Sequence, residues 1–332
     1  MKTKAFRIIS ILMLVILILA LVTLTAGAIA KANLAKQYPA PGQLVDVGGY
    51  KMHINCTGRG SPTVILAGGS LEYSLFWALV QPEVAGFTRA CSYDRAGYGW
   101  SESSPRPRTA TIMVEELHTL LTNGKIEGPY VLVGHSLGGM MMRVYAQKYP
   151  DEVAGLVLVD SLHEEQISRL PDIQQRLLQE VLGQARMLAI LNSTGFMALA
   201  PQNIPNPGVP DEAYAQLQAT SATSGSFKTN VAELNVMEES CAEVRALHIT
   251  SFGNLPLIVF SAGREETIAF LSDAENQQRW EVWQALQSEL VALSSNSKQV
   301  IAEQSGHNIQ LDQPALVMEA IREMVDAIRI DI

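Results

Sequence analysis

A serine flanked by glycines lies in the stretch of the chain best suited to nucleophilic chemistry. Ser136 is part of GHSLGG, residues 134–139, directly after the apolar run 130–133. Glycines two positions before and after the serine allow a tight turn from a strand into a helix, because no side chain blocks the close backbone approach. The N–H of Leu137, at the start of that helix, would point toward a developing oxyanion. The pattern predicts a nucleophile elbow with Ser136 at its tip.

The segments around Ser136 alternate between strand-like and helix-like patterns. Strands are predicted at 44–47, 50–56, 63–67, 89–93, 130–133, 155–159, 257–261 and 298–302, and helices at 111–121, 140–149, 277–293 and 314–328. Such alternation is typical of a mostly parallel sheet with helices on both faces, in which functional groups lie at the carboxyl ends of the strands. The sequence therefore predicts an α/β fold whose sheet positions the serine.

A long apolar segment lies near the N-terminus. Residues 8–30 carry no charge and follow three basic residues, and at about 1.5 Å per residue they could cross a bilayer as a helix. Two interpretations stay open: an uncleaved anchor, which the length favours, and a secretory signal cleaved after Ala28-Ile29-Ala30. Because a basic flank stays in the cytoplasm, both place the catalytic portion outside it. The predicted organisation is an anchor or signal at 1–30, a linker at 31–43 and a catalytic domain at 44–332.

The composition excludes several classes of protein. The chain has 332 residues, of which 48% are hydrophobic, and a formal net charge of −9. That hydrophobic content supports a large buried core and excludes a disordered protein. An acidic chain is unsuited to nucleic acid, which binds basic surfaces. We therefore expect a small-molecule substrate.

Four stretches give the sequence a resemblance to the α/β-hydrolase family. They are residues 68–70 (GGS), 94–101 (DRAGYGWS), the elbow at 134–139 and residues 305–307 (SGH), in the order and approximate spacing of that family. The resemblance covers about residues 44–329. It implies a mostly parallel sheet of about eight strands, helices on both faces and a helical cap inserted after the sixth strand. Residues 161–254 match the cap position and show helical patterning, and such a cap would enclose an apolar pocket.

The resemblance also implies a triad around Ser136. The family places serine, acid and histidine in that chain order, so His307 would be the general base. Two carboxylates remain open for the acid. Asp160, at the end of the sixth strand, is favoured because strand ends are held rigidly. Glu266 is the alternative, because it stands in the slot where the family usually carries Asp.

Two further predictions come from the same resemblance. Gly68 replaces the histidine that the family usually has after the third strand, and the N–H of Ser70 would be the second oxyanion donor beside that of Leu137. In the resembled fold, Cys56 and Cys91 lie on neighbouring antiparallel strands. A Cys56–Cys91 disulfide is therefore expected in an oxidising compartment.

Together these residues favour a membrane-anchored serine hydrolase that cleaves carboxylic esters, with an apolar ester as the expected substrate and no metal or organic cofactor. Two alternatives stay open. The same triad could cleave amides, lactones or C–C bonds, or the protein could be a non-enzymatic relative that binds a ligand in the cap pocket. The presence of both the serine and the histidine favours the enzyme.

Overall fold

The chain folds around one eight-stranded sheet. The computed structural model describes residues 2–330, so residue 1 of the predicted anchor and residues 331–332 of the predicted catalytic domain lie outside the described residues. The strands are β1 Gln43–Asp46, β2 Lys51–Thr57, β3 Thr63–Ala67, β4 Ala90–Tyr93, β5 Tyr130–His135, β6 Val153–Val159, β7 Leu257–Ala262 and β8 Ser297–Ala302. Their order is β1-β2-β4-β3-β5-β6-β7-β8, with β2 antiparallel to both neighbours and the other pairs parallel. The predicted mostly parallel α/β sheet is confirmed.

Helices pack on both faces of the sheet, and several more lie between β6 and β7. They are α1 Lys2–Gln37, α2 Gln81–Val84, α3 Ala110–Asn123, α4 Leu137–Lys148, α5 Gln166–Arg169, α6 Pro171–Ser193, α7 Phe196–Leu199, α8 Asp211–Thr223, α9 Ser226–Asn235, α10 Met237–Ala246, α11 Asp273–Val291, α12 Ile309–Asp312 and α13 Pro314–Ile330. The helices α5 to α10 lie between β6 and β7, where the resemblance predicts a cap. We call residues 161–254 the helical insertion.

The core has two layers, one on each face of the sheet. Successive side chains of a strand point to opposite faces. In β5, Val131 and Val133 accordingly pack in the layer that contains buried side chains of α13, whereas Leu132 packs in the layer that contains α3 and α4. Alternation of this kind buries both faces of the central strands and fixes their register. The carboxyl ends of β5 and β6 are therefore rigidly held.

Helix α1 extends further than the sequence analysis predicts. The linker was expected from residue 31, but the helix continues to Gln37. Residues 31–37 contain Ala, Lys, Leu and Gln, which favour helices, and the first helix-breaking residue is Pro39. The helix has a mean hydropathy of 3.1 in its most apolar window and is long enough to cross a membrane. The non-helical connection to β1 is therefore short.

The two cysteines expected to pair are joined. Cys56 and Cys91 lie directly opposite each other in the antiparallel β2–β4 pair and form a disulfide. Cys241 is buried in α10 and free. The disulfide therefore links β2, which is antiparallel to its neighbours, to β4, which belongs to the parallel part of the sheet.

Candidate active site

Ser136 occupies a strained turn between β5 and α4. Its φ of +52° lies in the left-handed region that non-glycine residues rarely adopt. Neighbouring glycines permit this turn: a Cβ on Gly134 would lie 2.5 Å from the carbonyl oxygen of Gly138, and one on Gly138 would lie 2.5 Å from that of Ala67. The backbone packing therefore forces small residues around the serine and leaves its side chain partly exposed.

His307 lies in the loop between β8 and α12, beside Asp160 at the end of β6. Its Nδ1 is 2.6 Å from Oδ2 of Asp160. His307 and Ser136 line the same cavity of about 190 Å³. Within residues 2–330 no hydrogen bond joins the Ser136 hydroxyl to His307, and in ligand-free enzymes such contacts often close only when substrate binds.

Besides His307, Asp160 is held by donors from two neighbouring elements. Its Oδ1 accepts hydrogen bonds from the N–H of Ala262 in β7, at 3.0 Å, and from Nε1 of Trp283 in α11, at 2.9 Å. The Trp283 ring packs edge-on to the His307 ring, with 5.6 Å between centroids. With 1% of its surface exposed, this carboxylate is fixed in position before any substrate arrives.

The surroundings of His307 favour its protonated form. Burial lowers the pKa of the imidazole, but the hydrogen bond to Asp160 and the charge of that carboxylate outweigh burial, and the charges of Glu72 and Glu266 add to them. The net effect raises the pKa of His307 above its ordinary value. An imidazole with this environment can accept a proton readily.

Glu266, the alternative acid, contacts the backbone of His307 instead of its ring. Its Oε1 accepts a hydrogen bond from the N–H of His307 at 2.8 Å. Arg279 in α11 donates to the carbonyl oxygen of Glu266 and holds this loop. The structure thus brings Asp160 to the imidazole and Glu266 to the main chain of the same residue.

Both predicted oxyanion donors lie near Ser136. Leu137 begins α4, and Ser70 follows β3 across the turn at Gly69, where an added Cβ would lie 2.9 Å from Cβ of Ser136. The Ser70 hydroxyl accepts a hydrogen bond from Asn230 of α9 at 3.0 Å. Among the described residues, neither the N–H of Leu137 nor that of Ser70 has a hydrogen-bond acceptor. Both amides are free to bind an anion.

A buried Glu72–His135 pair, which the sequence analysis did not identify, connects these loops. Nδ1 of His135 is 2.7 Å from Oε2 of Glu72, and the same oxygen accepts from the N–H of Gly69 at 2.6 Å. Nε2 of His135 is 3.0 Å from the carbonyl oxygen of His307. Burial raises the pKa of Glu72, but His135 and the Gly69 amide outweigh burial and lower it overall. The only signal in the sequence is a carboxylate two positions after Ser70.

Arg95 also holds the turn at Gly68 and Gly69 that precedes Ser70. Its guanidinium donates to the carbonyl oxygens of Gly68 and Gly69 at 2.6 and 2.8 Å, and to Glu233 of α9 at 2.9 Å. Tyr98 donates to the second oxygen of Glu233 at 2.8 Å. The stretch 94–101 therefore orients the peptide groups that precede Ser70.

A separate apolar cavity of about 420 Å³ lies under the helical insertion. It is lined by side chains of the insertion and of residues 71–76 that follow Ser70. Its size falls within the range of small-molecule sites, about 300–1,000 Å³. In the part of the chain that the structure describes, no group of three or more His, Cys, Asp or Glu side chains is arranged to hold a metal ion.

Comparison with known proteins identifies the family. The family model described as alpha/beta hydrolase fold matches residues 62–314. The chain belongs to the alpha/beta hydrolase fold family. An uncharacterized protein of Schizosaccharomyces pombe is 27% identical over 321 residues; the match covers 86% of this chain but only 56% of that protein. An uncharacterized vacuolar membrane protein of Saccharomyces cerevisiae is 33% identical over 147 residues, or 39% of this chain and 22% of that protein.

Solved structures support the same fold. An esterase from Thermogutta terrifontis superposes with a TM-score of 0.58 at 21% identity, over 86% of this chain and 98% of its own. At this identity the likeness concerns the fold of this alpha/beta hydrolase and not its substrate.

Proposed function

We propose that this alpha/beta hydrolase is a serine esterase that works through an acyl-enzyme on Ser136. The observation that carries the proposal is the 2.6 Å contact between Nδ1 of His307 and Oδ2 of Asp160, in a cavity that Ser136 also lines. With Nδ1 bound to the carboxylate, Nε2 of His307 is the nitrogen available to the serine hydroxyl. This arrangement supports Asp160 rather than Glu266 as the acid.

In the acylation step, Oγ of Ser136 attacks the ester carbonyl carbon and its proton passes to Nε2 of His307. The carbonyl oxygen becomes an anion that accepts hydrogen bonds from the amides of Leu137 and Ser70. Collapse of this intermediate breaks the C–O bond of the ester, and His307 returns the proton to the departing alcohol oxygen. Asp160 stabilises the imidazolium meanwhile and stays ionised.

In the deacylation step, His307 takes a proton from water and the resulting oxygen attacks the acyl carbon. The second tetrahedral intermediate uses the same two amides. Its collapse releases the carboxylic acid and returns the proton to Ser136. No atom of this cycle requires a metal ion.

The N-terminal helix supports a proposal about location. Gly27 packs against Gly195 so closely that an added Cβ would lie 2.9 Å from that residue's backbone, and Nζ of Lys31 donates to Oδ1 of Asn192 at 2.9 Å. Cleavage after Ala30 would remove the Gly27–Gly195 contact, so that contact favours an uncleaved anchor. The Cys56–Cys91 disulfide supports an oxidising compartment for the catalytic part.

Active-site labelling with a fluorophosphonate tests the chemistry directly. The full-length protein should react, and Ser136→Ala should abolish both the labelling and the hydrolysis of p-nitrophenyl esters. Ser288→Ala, an exposed serine of α11, is the matched control and should react like the wild type. Equal behaviour of wild type and Ser136→Ala would leave only the ligand-binding alternative.

A further inference from the structure

Helix α1 lies against the helical insertion along one stripe. From Thr23 onward, the residues of α1 that are not fully exposed recur once per helical turn: Thr23, Ala26, Gly27, Ala30, Lys31 and Leu34. That spacing is one face of a helix. The backbones of Gly27 and Gly195, the residue that precedes α7, pack closely against each other. The position of α1 in a bilayer therefore fixes the position of α7.

The charges on α1 set that position. Between Arg7 and Lys31 the chain has no charged residue, so the hydrocarbon region lies between these two side chains. From Arg7 to Gly27 the helix rises about 30 Å at 1.5 Å per residue, which equals the thickness of that region. Gly27 lies at its outer boundary, and Gly195 lies at the same depth.

The insertion presents an apolar, uncharged surface at this depth. Residues 187–210 contain no Asp, Glu, Lys or Arg. Four of their large apolar side chains are between 43% and 64% exposed: Met187, Ile190, Phe196 and Leu199. We call these four the apolar rim. In water such a cluster would be unfavourable, whereas at the boundary of a bilayer its burial is favourable.

The apolar cavity lies behind this rim. Phe196 belongs to both, and Leu188 and Leu191 of α6 line the cavity while their neighbours Met187 and Ile190 belong to the rim. On the body side the cavity is lined by Leu71, which follows the proposed oxyanion donor Ser70. The cavity thus lies between the expected membrane surface and the residue that follows Ser70.

We propose that the apolar rim is immersed in the outer boundary of the bilayer and that the cavity takes the acyl chain of a lipid ester entering from the membrane. The inference rests on the proposed esterase chemistry and on α1 being an uncleaved anchor. It adds a substrate class, long-chain carboxylic esters dissolved in the bilayer, and a route by which they reach Ser136.

Spin labelling of the full-length protein in phosphatidylcholine nanodiscs tests the immersion. A nitroxide is attached to Ile190→Cys, Phe196→Cys, Leu17→Cys in α1 and Ile301→Cys on β8, one at a time. The native cysteines are paired or buried and should not react. Labels at 190, 196 and 17 should be more accessible to oxygen than to a water-soluble nickel chelate, and the label at 301 should show the reverse.

Two results would count against the inference in different ways. If the labels at 190 and 196 behave like that at 301 while the label at 17 remains in lipid, the rim lies in water and the inference is wrong although the anchor stands. If the label at 17 also lies in water, the anchor itself is wrong.

Hydrolysis measurements test the route. Met187→Glu and Ile190→Glu should slow the cleavage of p-nitrophenyl palmitate carried in phosphatidylcholine vesicles by about tenfold or more, while cleavage of soluble p-nitrophenyl acetate stays as in the wild type. Ile301→Glu, at another exposed apolar position on β8, should change neither. An equal effect on both substrates, or none on either, would overturn the route, whereas acetate cleavage that survives Ser136→Ala would overturn the esterase chemistry instead.

Discussion

The carboxylate of Asp160 lies 2.6 Å from Nδ1 of His307, across the ends of β6 and β8. The two residues are 147 positions apart in the chain, and only the sheet brings them together. Both other bonds of Asp160 come from neighbouring elements, so the carboxylate cannot turn away from the ring. This geometry determines what each substitution should do.

Asp160→Asn should lower kcat/KM for a soluble ester by about 10³- to 10⁴-fold, because the amide no longer stabilises the imidazolium or holds the required tautomer. Glu266→Gln should lower it by less than about tenfold, since a glutamine oxygen can still accept the hydrogen bond from the His307 amide. Steady-state kinetics on both purified variants measures the difference. A larger loss of kcat/KM in Glu266→Gln than in Asp160→Asn would make Glu266 the acid.

The pH dependence of kcat/KM should report the charge of His307. Only the neutral imidazole accepts the serine proton, so activity should rise with pH as His307 loses its own proton. Because Asp160 raises the pKa of His307, the midpoint should lie above about 6.5, the ordinary value. In Asp160→Asn the residual activity should also rise with pH, but the midpoint of that rise should lie at a lower pH than in the wild type. A midpoint that is unchanged in this variant would contradict the assigned contact.

Glu72 should act as a positioning residue through His135 and Gly69. Glu72→Gln keeps an oxygen for the Gly69 amide but removes the charge beside His135, so the turn before Ser70 should lose its fixed orientation. We expect kcat to fall by about 10- to 100-fold with little change in KM, because the oxyanion contact strengthens only in the transition state. Glu281→Gln, on the exposed face of α11, is the control. A rise in KM with kcat unchanged would exclude this role.

Adding one methyl group at the close contact between α1 and the insertion should lower the stability of the protein. Gly27→Ala places a Cβ 2.9 Å from the backbone of Gly195, and we expect it to destabilise the detergent-solubilised protein by about 1–3 kcal/mol. Gly183→Ala in α6 is the matched variant: its Cβ meets open space, and it should stabilise the helix by about 1 kcal/mol. Thermal unfolding measures both. If both variants change the unfolding temperature in the same direction, α1 does not pack against Gly195.

The sequence permits prediction where the deciding interactions are local. The glycines around Ser136 and the end of a buried strand at Asp160 could both be identified, because turn sterics and strand patterns act over a few residues. The position of Glu266 could not, since it depends on how the loop after β7 packs against α11. The Glu72–His135 contact joins residues 63 positions apart, and no local pattern marks it. The continuation of α1 past residue 30 does not follow from the apolar segment, because the charge at Lys31 ends that segment but not the helix.

The buried pair of Arg95 and Glu233 has a mechanical consequence. Separating these side chains would leave two charges without partners in the interior, which is strongly unfavourable. Helix α9 therefore cannot swing outward with the rest of the insertion, and it forms the stationary side of any opening. Any movement of the insertion that admits a substrate must leave α9 in place. Because Arg95 also binds the carbonyls of Gly68 and Gly69, the turn that carries Ser70 keeps its shape throughout such a motion.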